Sequence, residues 1–102
     1  MANIELTWDA TQMSGATDIE SVQIWSVDGD QTGSYTQTNG QISAADAATF
    51  VSSASVVQQG LSTTDTTHTQ NDVTNPGGGI TWGVFSYNSA GYGPGSIFHL
   101  DF

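Results

Sequence analysis

Residues 72–96, DVTNPGGGITWGVFSYNSAGYGPGS, decide the fold. They hold both prolines of the chain, most of its glycines and its longest alternating apolar run. From Ile80 to Asn88 the side chains of Ile80, Trp82, Val84 and Ser86 share one face of a strand, and those of Thr81, Gly83, Phe85 and Tyr87 share the other. The Ile-Trp-Val side is the expected core face. Pro76 and the three glycines that follow break the chain before the strand, because proline fixes φ and glycine admits positive φ. Asn88-Ser89-Ala90-Gly91 is the expected turn after it.

Upstream, Ile4, Leu6 and Trp8 alternate with Glu5, Thr7 and Asp9, which predicts a half-buried strand. ATQMSGATD (10–18) reads as a polar loop. Ile19 to Val27 predicts a second strand, with Val22, Ile24 and Ser26 facing inward and Gln23, Trp25 and Val27 facing outward. Asp28-Gly29-Asp30 reads as a turn, with a weak Ca²⁺ site as the sharper alternative. The polar run Gln31 to Gln41 has one large side chain, Tyr35, and a hairpin signal at Asn39-Gly40. Within residues 43–53, Ser43 is a helix cap with Asp46 three positions on, followed by closely spaced alanines. The pattern predicts a short helix anchored by Phe50 and Val51. Further strands are expected around Val56-Val57, over His68 to Val73 (pairing near the 72–96 stretch) and from Ile97 to Phe102.

The 72–96 stretch resembles the end of a fibronectin type III domain. The resemblance rests on Val73, Pro76-Gly77, the strand ending in Asn88, Ala90-Gly91, Gly93-Pro94 and Ser96, and covers about a quarter of the chain. Leu6-Thr7-Trp8 and the spacing of Ile19, Val22 and Ile24 are similar to earlier strands of that family. The resemblance implies an all-β fold: one immunoglobulin-like sandwich of about seven strands over residues 1–102, with residues 43–53 as a helical insertion. It also implies a tyrosine eight residues before Asn88, whose hydroxyl ties down the loop; Ile80 stands there instead. That corner bond is therefore absent, and the entry turn is expected to be loosened or rebuilt.

Composition narrows the functions. The 102 residues contain no cysteine, so no disulfide or thiolate metal site is possible. Lysine and arginine are absent while ten carboxylates are present, for a formal charge of −10. Nucleic acid and anionic membrane surfaces are excluded as partners, because both are held by basic side chains. The start Met1–Glu5 shows no leader pattern. A chain without Lys or Arg offers trypsin-like proteases no cleavage site, and its charge suits a basic partner surface.

No serine sits in a nucleophile-elbow pattern, His68 and His99 lie far apart, and Asp18 and Glu20 read as solvated acids. The expectation is therefore a non-enzymatic protein without cofactor or metal. Its candidate binding residues are the exposed aromatics Trp25, Tyr35, Phe85, Tyr87 and Tyr92, with Trp25, Val27, Phe85 and Tyr87 forming an outward apolar patch. A virion-associated decoration or cement protein is the favoured reading: located on the virion surface, bound to a capsid or other virion protein, and self-associating within the assembly. The alternative is an extracellular carbohydrate- or protein-binding module.

Overall fold

The computed structural model describes residues 1–9, 13 and 15–102. The predicted loop at 10–18 lies partly outside the described residues. Six strands and one helix follow in order: β1 (Ala2–Thr7), β2 (Ser21–Asp28), α1 (Ala44–Ser52), β3 (Ser55–Leu61), β4 (Thr67–Val73), β5 (Ile80–Asn88) and β6 (Gly91–Leu100). They make two antiparallel sheets, one of order β3-β2-β5-β6 and one of β1-β4. The chain is thus an all-β sandwich with a helical insertion.

Among the described residues six strands form, where about seven were expected. The run 31–41 lacks apolar alternation and makes only a 3-10 turn at Thr32–Ser34 and a tight turn. In that turn Asn39 and Gly40 both take positive φ, and Thr38 and Gln41 exchange backbone hydrogen bonds of 2.9 and 3.1 Å. β4 forms where expected and pairs with β1, its last residue Val73 lying opposite Ala2. Its extra residue, Asp72 at φ +56°, makes a bulge opposite the Ala2–Ile4 step. β6 runs from Gly91 to Leu100, so the last strand begins six residues before the expected Ile97 and stops two short of Phe102.

Between the sheets, Ile4, Leu6 and Trp8 meet Val22, Ile24, Ile80, Trp82 and Val84. Trp82 is fully buried, and its indole N–H reaches across to Gln70 Oε1 on β4 at 2.8 Å. A buried indole that found no acceptor would forfeit about 1–3 kcal/mol, so this bond also fixes how the two sheets face each other.

The second core lies on the other side of the four-stranded sheet. Ser43 caps α1, accepting a hydrogen bond from the Asp46 backbone N–H at 3.2 Å. The helix buries Ala47 and Phe50 together with Ile42 against Phe85 and Ile97. Phe50 packs on Phe85 with ring centroids 5.5 Å apart in an edge arrangement. Gly83 and Gly95 make this possible: a Cβ at either would collide with the Phe85 ring, so the ring lies over bare backbone. β5 therefore has core on both faces, which explains why Ile80 through Ser86 are all buried. The insertion covers much of the face on which the outward apolar patch was expected.

The turn into β5 is organised around Asn75. Its Oδ1 accepts from the backbone N–H of Gly77 at 2.9 Å and of Gly79 at 3.0 Å. Its Nδ2 donates to Asp101 Oδ1 at 2.9 Å and to the Phe102 carbonyl. One amide thus holds this loop and clips the C-terminal residues to it. Asn75→Ala is expected to cost about 1–2 kcal/mol and to speed amide exchange at Gly77 and Gly79, checked by chemical denaturation and hydrogen exchange.

Candidate binding surface

Of the five candidate aromatics, the structure leaves none fully exposed. Phe85 is fully buried beneath α1, which removes it from any contact surface. Its outward position was right; the helix that covers it was not placed over it from sequence. Tyr35 is half-buried against the Phe50 ring at 5.9 Å, and burial, with Asp46 adding, pushes its hydroxyl pKa above the usual tyrosine value. Tyr35 therefore belongs to the edge of the second core. Val27 and Trp25 also pack partly against that core, so the expected four-residue patch does not exist as a free surface.

Trp25, Tyr87 and Tyr92 do come together. Cross-strand register puts Tyr87 opposite Tyr92 and Ser21 opposite Tyr87 on one face. The two tyrosine rings lie 5.2 Å apart, and Trp25 meets Tyr92 edge-on at 6.1 Å. Gln23, buried on the same face, joins them: its Oε1 accepts from the Tyr92 hydroxyl at 2.9 Å and from the Trp25 indole at 3.1 Å. Burial raises the Tyr92 pKa, the neighbouring Tyr87 adds to this, and the Trp25 N–H opposes it. Tyr92 thus remains a protonated donor at neutral pH, which the Gln23 bond requires. Sequence reasoning missed Gln23; the signal was an amide two residues before a tryptophan on the same strand face.

Beside this cluster runs a groove of 230 Å³, bordered by Tyr87, Asn88, Tyr92 and Pro94. Asn88 shapes its end, donating to the Thr17 carbonyl at 3.1 Å and accepting from the Ala90 N–H at 2.9 Å. The arrangement offers ring edges and backbone to a ligand, while Gln23 Oε1 and the Asn88 amide are already engaged.

The Asp28-Gly29-Asp30 segment is a turn. Asp30 Oδ1 accepts from the Thr32 backbone at 2.9 Å and from its hydroxyl at 2.6 Å. These bonds, the hydroxyl first, hold the exposed carboxyl below its ordinary pKa, with His99 helping through Nδ1 at 3.8 Å. What Asp30 contributes to stability is therefore present above the unfolded carboxylate range and lost as pH falls through its lowered value. Fully buried Thr81 closes the turn from below, donating to the Gly29 carbonyl at 2.7 Å and accepting from the Gln31 N–H at 3.0 Å. Among the described residues, no group of three or more His, Asp or Glu converges to hold a metal.

Comparison of the chain with family models, with curated proteins and with solved structures finds no match. Its function must be argued from its own surfaces.

The most pervasive of these is charge. Ten carboxylates with no lysine or arginine repel one another in the fold. The melting temperature is expected to rise as NaCl is raised from about 0.01 to 0.15 M, where the screening length shortens from about 30 to 8 Å. A calorimetric series that stays flat over that range would show the carboxylates to be too dispersed to act together.

Proposed function

We propose that this chain is a non-enzymatic structural protein of a virion, a fibronectin type III-like domain that decorates or cements a capsid through protein–protein contacts. Support for the domain type comes from strand order. With β1 and β4 as one sheet and β3-β2-β5-β6 as the other, the strands fall in the order B-E and C′-C-F-G of an immunoglobulin-like sandwich.

The observation that carries the contact role is the one-signed surface. A −10 charge on 102 residues disfavours self-contact and nucleic acid alike, and favours a basic protein face. A chain without trypsin sites also suits an exposed position on a particle. Many copies acting together would hold by avidity what single contacts hold weakly. Fold likeness alone does not give function, and the virion assignment stands on these surface properties.

The test is location. Mass spectrometry and electron microscopy of particles purified from the source should find the protein in stoichiometric amounts on their exterior. Its absence from intact particles would remove the virion role.

A second reading is favoured by one feature, the Trp25-Tyr92-Tyr87 cluster beside its groove. Clustered aromatic rings beside a groove suit a sugar ring, as in an extracellular carbohydrate-binding module. A glycan array would detect it, and Tyr87→Ala should abolish any signal found.

A further inference from the structure

The two sheets of the sandwich are unequal, and the smaller one is open beside an apolar groove. β4 pairs with one edge of β1, and among the described residues no strand pairs with the other. The direction of the free backbone groups follows from the ladder. Trp8 N–H donates to the Thr66 carbonyl at 2.9 Å, so the backbone of Trp8, and by alternation of Leu6 and Ile4, points toward β4. The N–H and C=O groups of Asn3, Glu5 and Thr7 then point to the open edge.

Across that opening lies β6, the outer strand of the large sheet. A groove of 220 Å³ runs between them, with Ile4 and Leu6 on one wall, Phe98 and Leu100 on the other, and Trp82 at its base. Its size is below the about 300–1,000 Å³ usual for small-molecule pockets and suits side chains of an extended peptide. Leu100, beside it, is 44% exposed, and Phe102, its ring 6.3 Å from Trp82, is 36% exposed.

Soluble proteins protect such edges with lysine, proline or a bulge. The bulge here is on β4 at Asp72, and β1 has none of the three devices. What β1 shows outward is Glu5, with the exposed carboxylates Asp9 and Asp101 at the ends of the two walls. A second copy of this chain would bring ten further negative charges and no cation.

We propose that the outer edge of β1 is the docking site for an extended, lysine- or arginine-bearing segment of a partner protein. The segment adds to the β1–β4 sheet as a third strand and seats alternate apolar side chains in the groove against β6. Backbone bonds supply the register, the groove reads every second side chain, and Glu5 reads the charge. The inference rests on the protein-contact reading above and names where that contact is made.

The probe is a synthetic peptide of alternating valine and threonine with lysines at both ends, added to the intact protein and followed by NMR. Binding is expected at low salt, weakening as salt is raised, with slowed exchange at the Glu5 and Thr7 amides. Glu5→Pro deletes one outward N–H without touching the β1–β4 ladder and should weaken binding about tenfold, the worth of about one lost bond and its neighbour. Glu5→Lys keeps the N–H, reverses the charge, and should also weaken binding while the melting temperature stays near that of the parent. Absence of binding, protection confined to other strands, or unchanged affinity in both variants would overturn the proposal. Protection of β1 through dimerisation without peptide would overturn the choice of occupant. A protein found on particles with the Glu5 and Thr7 amides still freely exchanging would keep the virion reading and lose this one. A protein absent from particles that still captures the peptide on β1 would do the reverse.

Discussion

Trp82→Ala is expected to lower the melting temperature by on the order of 20 °C, the largest single effect in the chain. The indole is 1% exposed and sits where β1, β2, β4 and β5 meet. Removing a buried aromatic side chain costs about 3–5 kcal/mol in transfer and cavity terms. Against a total stability of about 5–15 kcal/mol for a small domain, that is a large share. The variant also leaves Gln70 Oε1 without its donor inside the sandwich. Trp82→Phe separates the two contributions, because it keeps a ring but not the N–H, and should lose roughly half as much. Thermal and urea denaturation measure both. A loss of only a few degrees in Trp82→Ala would mean that the sheets are not packed around this residue.

Phe50→Ala is the second large effect, and its signature is local. Phe50 is 1% exposed and is the main side chain through which α1 grips Phe85. A nine-residue helix is too short to persist alone, so once undocked it should unwind. The expected cost is about 3–5 kcal/mol. Amides of Ala44–Ser52 should then exchange much faster, while Trp82 fluorescence stays that of a buried indole. A helix that remains protected in Phe50→Ala would show that Ala47 and Ile42 suffice to hold it.

Much of this architecture is legible in the residues. The alternation in Ile80 to Asn88 placed β5 at its observed ends, and Ser43 with Asp46 marked the start of α1. The inward sets Ile4-Leu6-Trp8 and Val22-Ile24 were also readable, because period two is a local property of the chain. Where the helix docks was not readable. Nothing in residues 43–53 names the sheet face they cover, and Phe85 looked like an exposed aromatic because its lid is some thirty-five residues upstream. A trace of it lay in Gly83, two residues before Phe85 on the same face, where a missing Cβ makes room for a ring. The pairing of β4 with β1 was hidden for a similar reason: THTQNDV is polar up to its last residue, Val73, and its partner is set by how the sheets face each other. The candidate site split along the same line. Tyr87 and Tyr92 meet across a single hairpin, whereas the fates of Phe85 and Tyr35 depended on a distant segment.

A strand with apolar packing on both sides is also the last part of the molecule to let water in. Helix α1 can lift away, or the small sheet can breathe, and the central amides of β5 remain shielded by whichever half is still in place. Deuterium should therefore reach Trp82 through Phe85 only when the whole chain opens, making their exchange rates a direct gauge of global stability. A partner strand bound at β1 would slow them as well, from the far side of the sandwich and without touching them.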